Sequence, residues 1–251
     1  KIICTRKESP LIIGLGKDKN FIASDVPAIL KYTRDVIFLE NDEIAIIEEG
    51  KVTVFNEEGK PIVKEISKIE WDMEQASKNG YPHFMLKEIE EQPAVVERTL
   101  EVYIKPDGKI DFGKAFEKID FEKIKEIDII ACGTAYHAGL QAAYFFKKMA
   151  KIKTNVDIAS EFRYSDPFLN EDNLVIFISQ SGETLDTLMA LKLARSKGAK
   201  TLAITNVVGS TISREADVVL YTVAGPEISV ASTKAYTTQV VTFYLLALYV
   251  A

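Results

Sequence analysis

What this sequence has little of narrows its class quickly. Cysteine occurs twice, at Cys4 and Cys132, which excludes a disulfide framework and fits a reducing, cytoplasmic compartment. The two histidines, His83 and His137, stand far apart with no cysteine beside them, so no metal site is expected. Cations do not cluster, and the net charge of −6 argues against nucleic acid as a partner, because a polyanion is held by grouped Lys and Arg. The apolar run from Val240 to Ala251 falls short of the roughly 20 residues that a membrane-spanning helix needs. It reads as a buried helix, and no membrane association is expected. A Walker-type phosphate loop is missing, and Gly14-Leu15-Gly16 lacks the third glycine and the following helix of a dinucleotide fingerprint. Hence no cofactor is expected. No cleavable signal pattern opens the chain.

What is there is a core-forming composition, 47% hydrophobic and 27% charged over 251 residues, enough for one large or two ordinary domains. The first residues, KIICTR, read as a strand already under way, and the last apolar run has no cap. The expectation is a piece of a longer protein.

The two halves have different rhythms. Up to about Ile69, short strands alternate with turns: KIICTR and LIIGLG flank Lys7-Glu8-Ser9-Pro10 as a hairpin, and DVIFLE, EIAIIEE, KVTVFN and PIVKEI follow. Their close spacing leaves no room for crossover helices, which predicts an antiparallel sheet. FIASDVPAILKYT reads as a short helix capped by Ser24 or Asp25, with Pro27 in its first turn. From Trp71 to about Phe121 the pattern is helical and charged, a connecting segment whose charges read mostly as a solvated face. From Ile124 onward, apolar strands (EIDIIACG, TNVDIAS, NLVIFIS, KTLAITN, DVVLYT) alternate with amphipathic helices. That pattern predicts a doubly wound α/β domain with a parallel sheet covered on both faces.

In such a sheet, ligands sit outside the carboxyl ends of the strands. Three loops expected there share one chemistry: Cys132-Gly133-Thr134, Ser179-Gln180-Ser181-Gly182-Glu183-Thr184 and Val230-Ala231-Ser232-Thr233. Each precedes or opens a helix, whose unpaired N–H groups can hold an anion without a formal cation. Hydroxyls of Ser179, Ser181 and Thr184 would add donors, and Gly182 would let the backbone approach the ligand. The plainer reading is that these Ser and Thr residues only cap helices. Three such loops at one sheet edge favour a phosphorylated small ligand. Glu183 and Glu227 lie nearby, as proton-transfer groups or, more plainly, as loop hydrogen-bond partners. Cys132 reads as a packed small residue.

ACGTAYHAG, IASEFRY, ISQSGETLDTL, TNVVGSTISREAD and GPEISVASTKAYTTQ resemble the first sugar-isomerase (SIS) domain of the glutamine–fructose-6-phosphate aminotransferase family. SPLIIGLGKDKNFIASDVPAIL and TRDVIFLENDEIAII resemble the end of that family's Ntn-type glutaminase domain, and HFMLKEIEEQP resembles the segment between the two. The resemblance implies that residues 1–70 are the C-terminal part of a glutaminase domain, 71–120 a connection, and 121–251 a first SIS domain cut short at its C-terminal end. It implies a hexose 6-phosphate ligand, with Thr134, Ser179, Gln180, Ser181 and Thr184 at the phosphate and Val230 and Ser232 against the sugar. Ala135 stands where many members carry serine, so one hydroxyl contact is missing. The family's catalytic groups fall outside this chain: Cys4 is not in the context of an N-terminal nucleophile, and the isomerase acid–base groups belong to a second SIS half. The resemblance also implies a homodimer.

Overall fold

A computed structural model describes residues 1–7, 9–24, 26–69 and 78–251. The chain divides into two compact units, residues 1–80 and 81–251.

Unit one holds eight strands among the described residues: β1 (Ile2–Thr5), β2 (Ile12–Leu15), β3 (Asn20–Ala23), β4 (Asp35–Phe38), β5 (Ile44–Glu48), β6 (Lys51–Phe55), β7 (Pro61–Ile62) and β8 (Ser67–Lys68). They form two antiparallel sheets, ordered β1-β5-β6-β7 and β3-β2-β4-β8. Ile13, Ile37 and Leu39 from one side and Ala45, Ile47 and Val54 from the other make a shared core.

Three expectations change here. KIICTR and LIIGLG do not pair as a hairpin: β1 pairs with β5, while β2 lies between β3 and β4. The burial of β2 explains the choice. Ile13 enters the core between the sheets while Ile12 packs on the opposite face with Ile29 and Val36, so β2 needs a central position with neighbours on both sides. Phe21-Ile22-Ala23 is strand rather than helix, because pairing of Gly14 with Phe21 and of Ile13 with Ile22 outweighs local helix propensity. Only a 3₁₀ turn, Val26–Ala28, remains of the expected helix. Of PIVKEI, only Pro61–Ile62 pairs. Glu8 of the expected hairpin turn, the Asp25 cap, Glu70 and the start of the connecting segment, residues 71–77, lie outside the described residues.

Unit two begins with helices α1 (Phe84–Glu90) and α2 (Gln92–Tyr103), followed by β9 (Glu126–Ala131), α3 (Gly133–Phe145), β10 (Lys153–Ile158), α4 (Ala159–Phe162), β11 (Asn173–Ser179), α5 (Leu185–Ser196), β12 (Lys200–Thr205), α6 (Thr211–Glu215), β13 (Val218–Tyr221) and α7 (Lys234–Val250). The strands form one parallel sheet ordered β10-β9-β11-β12-β13. Every residue of β11 is buried. Leu174, Ile176 and Ile178 face a core shared with α3 and α7, and Val175 and Phe177 face one shared with α4 and α5. Each such side chain contributes about 1.5–3 kcal/mol by leaving water. The run from Val240 onward forms most of α7 and is buried on one face only: Phe243, Leu246 and Ala247 are fully buried, while Tyr244, Leu248 and Tyr249 are exposed. Among the described residues no helix is long and apolar enough to cross a membrane.

Residues 81–120, read from sequence as a connection, fall within this second unit. Nor are their charges all solvated: Lys87 and Glu88 are 3% and 2% exposed. The reason is a set of partners on α7 and the loop before it, described below.

Candidate functional site

The strand order sets the place of the site. From β9 the chain crosses to β10 on one side, and from β11 onward it proceeds on the other. Helices α3 and α5 therefore lie on opposite faces of the sheet, and a crevice opens between the carboxyl ends of β9 and β11. Ala131 and Ile178 are register partners in that pair, so Cys132-Gly133-Thr134 and the Ser179–Thr184 loop leave the sheet side by side.

The second loop is built from its own backbone. Ser179, 3% exposed at the end of β11, accepts a hydrogen bond from the Gly182 N–H at 3.0 Å, and its hydroxyl lies 3.0 Å from that of Thr184. The Ser181 hydroxyl accepts from the Glu183 N–H at 3.2 Å. Segment 206–212 holds the loop from outside: the Asn206 N–H donates to the Gln180 carbonyl and the Ile212 N–H to the Gly182 carbonyl. Gly182 has φ +67°, and a Cβ there would stand 2.0 Å from Ser210 Oγ and 2.8 Å from Thr205 Oγ1. The glycine thus serves close packing of the loop against the protein.

Thr184 occupies the N-cap position of α5, yet its side chain makes no capping bond. The first intrahelical donor is the Leu188 N–H, to the Thr184 carbonyl at 2.9 Å. Among the described residues, the N–H groups of Thr184 to Thr187 have no protein acceptor. Cys132, at the N-cap of α3, likewise makes no side-chain cap, and Thr134 is exposed in the first turn. The plainer reading, Ser and Thr as simple caps, does not describe either helix end. Two helix N-termini with their partial positive charge and a ring of hydroxyls can hold a multiply charged oxyanion. Each bond to a charged oxygen is worth about 1.5–3 kcal/mol. Arg163, from the end of α4, is occupied by Asp186 in the first turn of α5 at 3.0 Å.

The third loop differs. The Glu227 carboxylate accepts from the Thr233 and Ala235 N–H groups at 2.9 and 3.1 Å and from the Ser232 hydroxyl at 2.8 Å. The N-terminus of α7 therefore already carries an anion from its own chain, and a second one would be repelled. Ser232 is engaged with Glu227, and Val230 is fully exposed at the loop tip. Glu183 is used in the same way, accepting from the Thr211 N–H at 2.8 Å at the start of α6. Both glutamates thus fill the plainer of their two sequence readings.

Sequence reasoning missed Glu88, whose carboxylate accepts from the Ile228 and Ser229 N–H groups at 2.6 and 3.2 Å. It also missed Lys234, 3% exposed, which is 2.6 Å from Glu91. Nothing in the sequence of α1 signals this: Met85, Leu86 and Ile89 are exposed while the charged pair between them is buried, the reverse of what the apolar pattern suggests. Among the described residues no group of three or more His, Cys, Asp or Glu could hold a metal ion.

Comparison with known proteins follows the same geography. Residues 120–249 match the model described as SIS domain. The chain is 58% identical over 249 residues to a glutamine–fructose-6-phosphate aminotransferase (isomerizing) of Fusobacterium nucleatum subsp. nucleatum, covering 99% of this chain and 41% of that protein. It therefore spans about two fifths of the length of such relatives. Among solved structures, the C-terminal domain of glucosamine-fructose-6-phosphate aminotransferase from Francisella tularensis is similar at TM-score 0.66 and 46% identity, over 69% of this chain and 49% of that one. A glucosamine-6-phosphate deaminase from Thermotoga maritima is similar at TM-score 0.54 and 26% identity, over 66% of this chain and 48% of that one.

Proposed function

The chain belongs to the SIS domain family, and we propose that it is the hexose-6-phosphate-binding part of a glutamine–fructose-6-phosphate aminotransferase. The whole enzyme would convert fructose 6-phosphate and glutamine to glucosamine 6-phosphate and glutamate. The observation that carries this reading is the uncapped N-terminus of α5 beside the Ser179–Thr184 hydroxyls at the switch point of the sheet. The phosphate is held by the free N–H groups of α5 and by Ser179, Gln180, Ser181 and Thr184. Thr134 reaches it from α3, and Val230 and Ser232 line the sugar side.

In this reading residues 1–70 are the end of a glutaminase domain, 71–120 its connection and 121–251 a first SIS domain. Catalytic groups for either half-reaction lie elsewhere in the full-length enzyme, so this chain alone is inactive. The enzyme is cytoplasmic and homodimeric, and needs no cofactor, membrane or nucleic acid. A deaminase-type enzyme or a sugar-phosphate sensor would use the same pocket. The 58% identity over nearly the whole chain, against 26% to the deaminase, favours the aminotransferase.

Calorimetric titration with fructose 6-phosphate tests the site. Ser181→Ala and Thr184→Ala should each weaken binding by about 1.5–3 kcal/mol, roughly ten- to a hundredfold. Unchanged affinity in both variants would remove the loop from the phosphate site.

A further inference from the structure

The tip that carries Val230 is held by two carboxylates from opposite directions. Glu227 fixes its outgoing side through Ser232, Thr233 and Ala235. Glu88 fixes its incoming side through the Ile228 and Ser229 N–H groups. Only Val230 and Ala231 lie between the two clamps, and both are exposed.

Glu88 comes from α1, some 140 residues earlier, and is 2% exposed. Its helix is itself tied to α7. Glu91 bridges Lys87 at 3.5 Å and Lys234 at 2.6 Å, and the Thr237 hydroxyl donates to Gln92 Oε1 at 2.6 Å. Lys234 places a cation at the positive end of α7, which is unfavourable without a counter-charge; Glu91 supplies it and so draws the α1–α2 junction onto this helix end. A buried carboxylate accepting two backbone N–H groups gives a stiff clamp, because removing it would leave two half-buried donors unpaired.

We propose that Glu88 is a positioning residue for sugar recognition: it sets the Val230 tip against the sugar while leaving the phosphate loop untouched. This rests on the sugar-phosphate reading above. It makes the segment before the sheet part of the specificity apparatus.

The test uses the 251-residue chain titrated with fructose 6-phosphate and, separately, with inorganic phosphate. Glu88→Ala should weaken fructose 6-phosphate binding by about tenfold or more and leave phosphate binding as it was. Glu88→Gln, which keeps an acceptor oxygen, should restore most of the affinity. If Glu88→Ala does not fold by circular dichroism, Glu88→Asp, which withdraws the carboxylate by one methylene, should give the same split. Parent-like binding of both ligands, or an equal loss of both, overturns the positioning role alone. Failure of the parent chain to bind either ligand overturns the pocket reading and this inference with it.

Discussion

The hydroxyls of Ser179 and Thr184 stand 3.0 Å apart across the loop that joins β11 to α5. That one relationship turns a capping residue away from its own helix and leaves the helix end free. It depends on the tight turn between them, where Gly182 has φ +67° and backs onto Ser210 and Thr205.

Gly182→Ala should therefore destabilise the fold by at least about 2 kcal/mol, combining left-handed backbone strain with overpacking. Urea denaturation followed by circular dichroism would measure it. Stability equal to the parent would mean that the loop relaxes without loss.

Tyr103 gives a pH signature. Its hydroxyl donates to the Tyr221 carbonyl at 2.6 Å and accepts from the Tyr221 N–H at 2.8 Å. Burial pushes its pKa up to about 12. A raised folded-state value means that the unfolded chain loses the proton first, so this contribution is whole below pH ~10 and is lost toward pH ~12. Tyr103→Phe should cost about 1–3 kcal/mol at neutral pH, because it strands the Tyr221 backbone groups. Above pH ~10 the parent should lose about 1.4 kcal/mol per pH unit relative to the variant. A stability difference that stays constant through that range would contradict the assignment.

Asp128 behaves oppositely at neutral pH. Burial first, and the nearby Glu126 charge second, raise its pKa, while Asn155 and Asn173 donate to it. The folded state therefore disfavours the ionised carboxylate, and stability falls as pH rises through its titration. Asp128→Asn should be more stable than the parent at pH 7 and lose that advantage in acid, where Asp128 is protonated. Thermal melts across pH would show it; a variant less stable than the parent at pH 7 would refute it.

The parallel half was legible in the sequence because its inner strands, β11 and β12 above all, are apolar on both faces. NLVIFIS is buried throughout, as its composition suggests. The position of SQSGET at a strand-to-helix junction was legible too, since an apolar run stops there and a helical pattern begins at once. The antiparallel half was less so. Whether KIICTR pairs with its neighbour or with β5 is decided by burial of Ile12 and Ile13 on two faces, a non-local fact. The role of Glu88 was hidden for a similar reason. A glutamate in a charged helix looks solvated until its acceptor-seeking partners, Ile228 and Ser229, are brought to it from the far end of the domain.

Phosphate binding is expected at the free N–H groups at the start of α5, and not at the start of α7, where Glu227 already holds the Thr233 and Ala235 N–H groups. Amide chemical shifts on titration with fructose 6-phosphate test this most directly. Saturable shifts are expected at Thr184, Leu185, Asp186 and Thr187, reproduced by inorganic phosphate but not by unphosphorylated fructose, with Thr233 and Ala235 unmoved by inorganic phosphate. Phosphate-dependent shifts confined to Thr233 and Ala235, with the α5 amides silent, would contradict it.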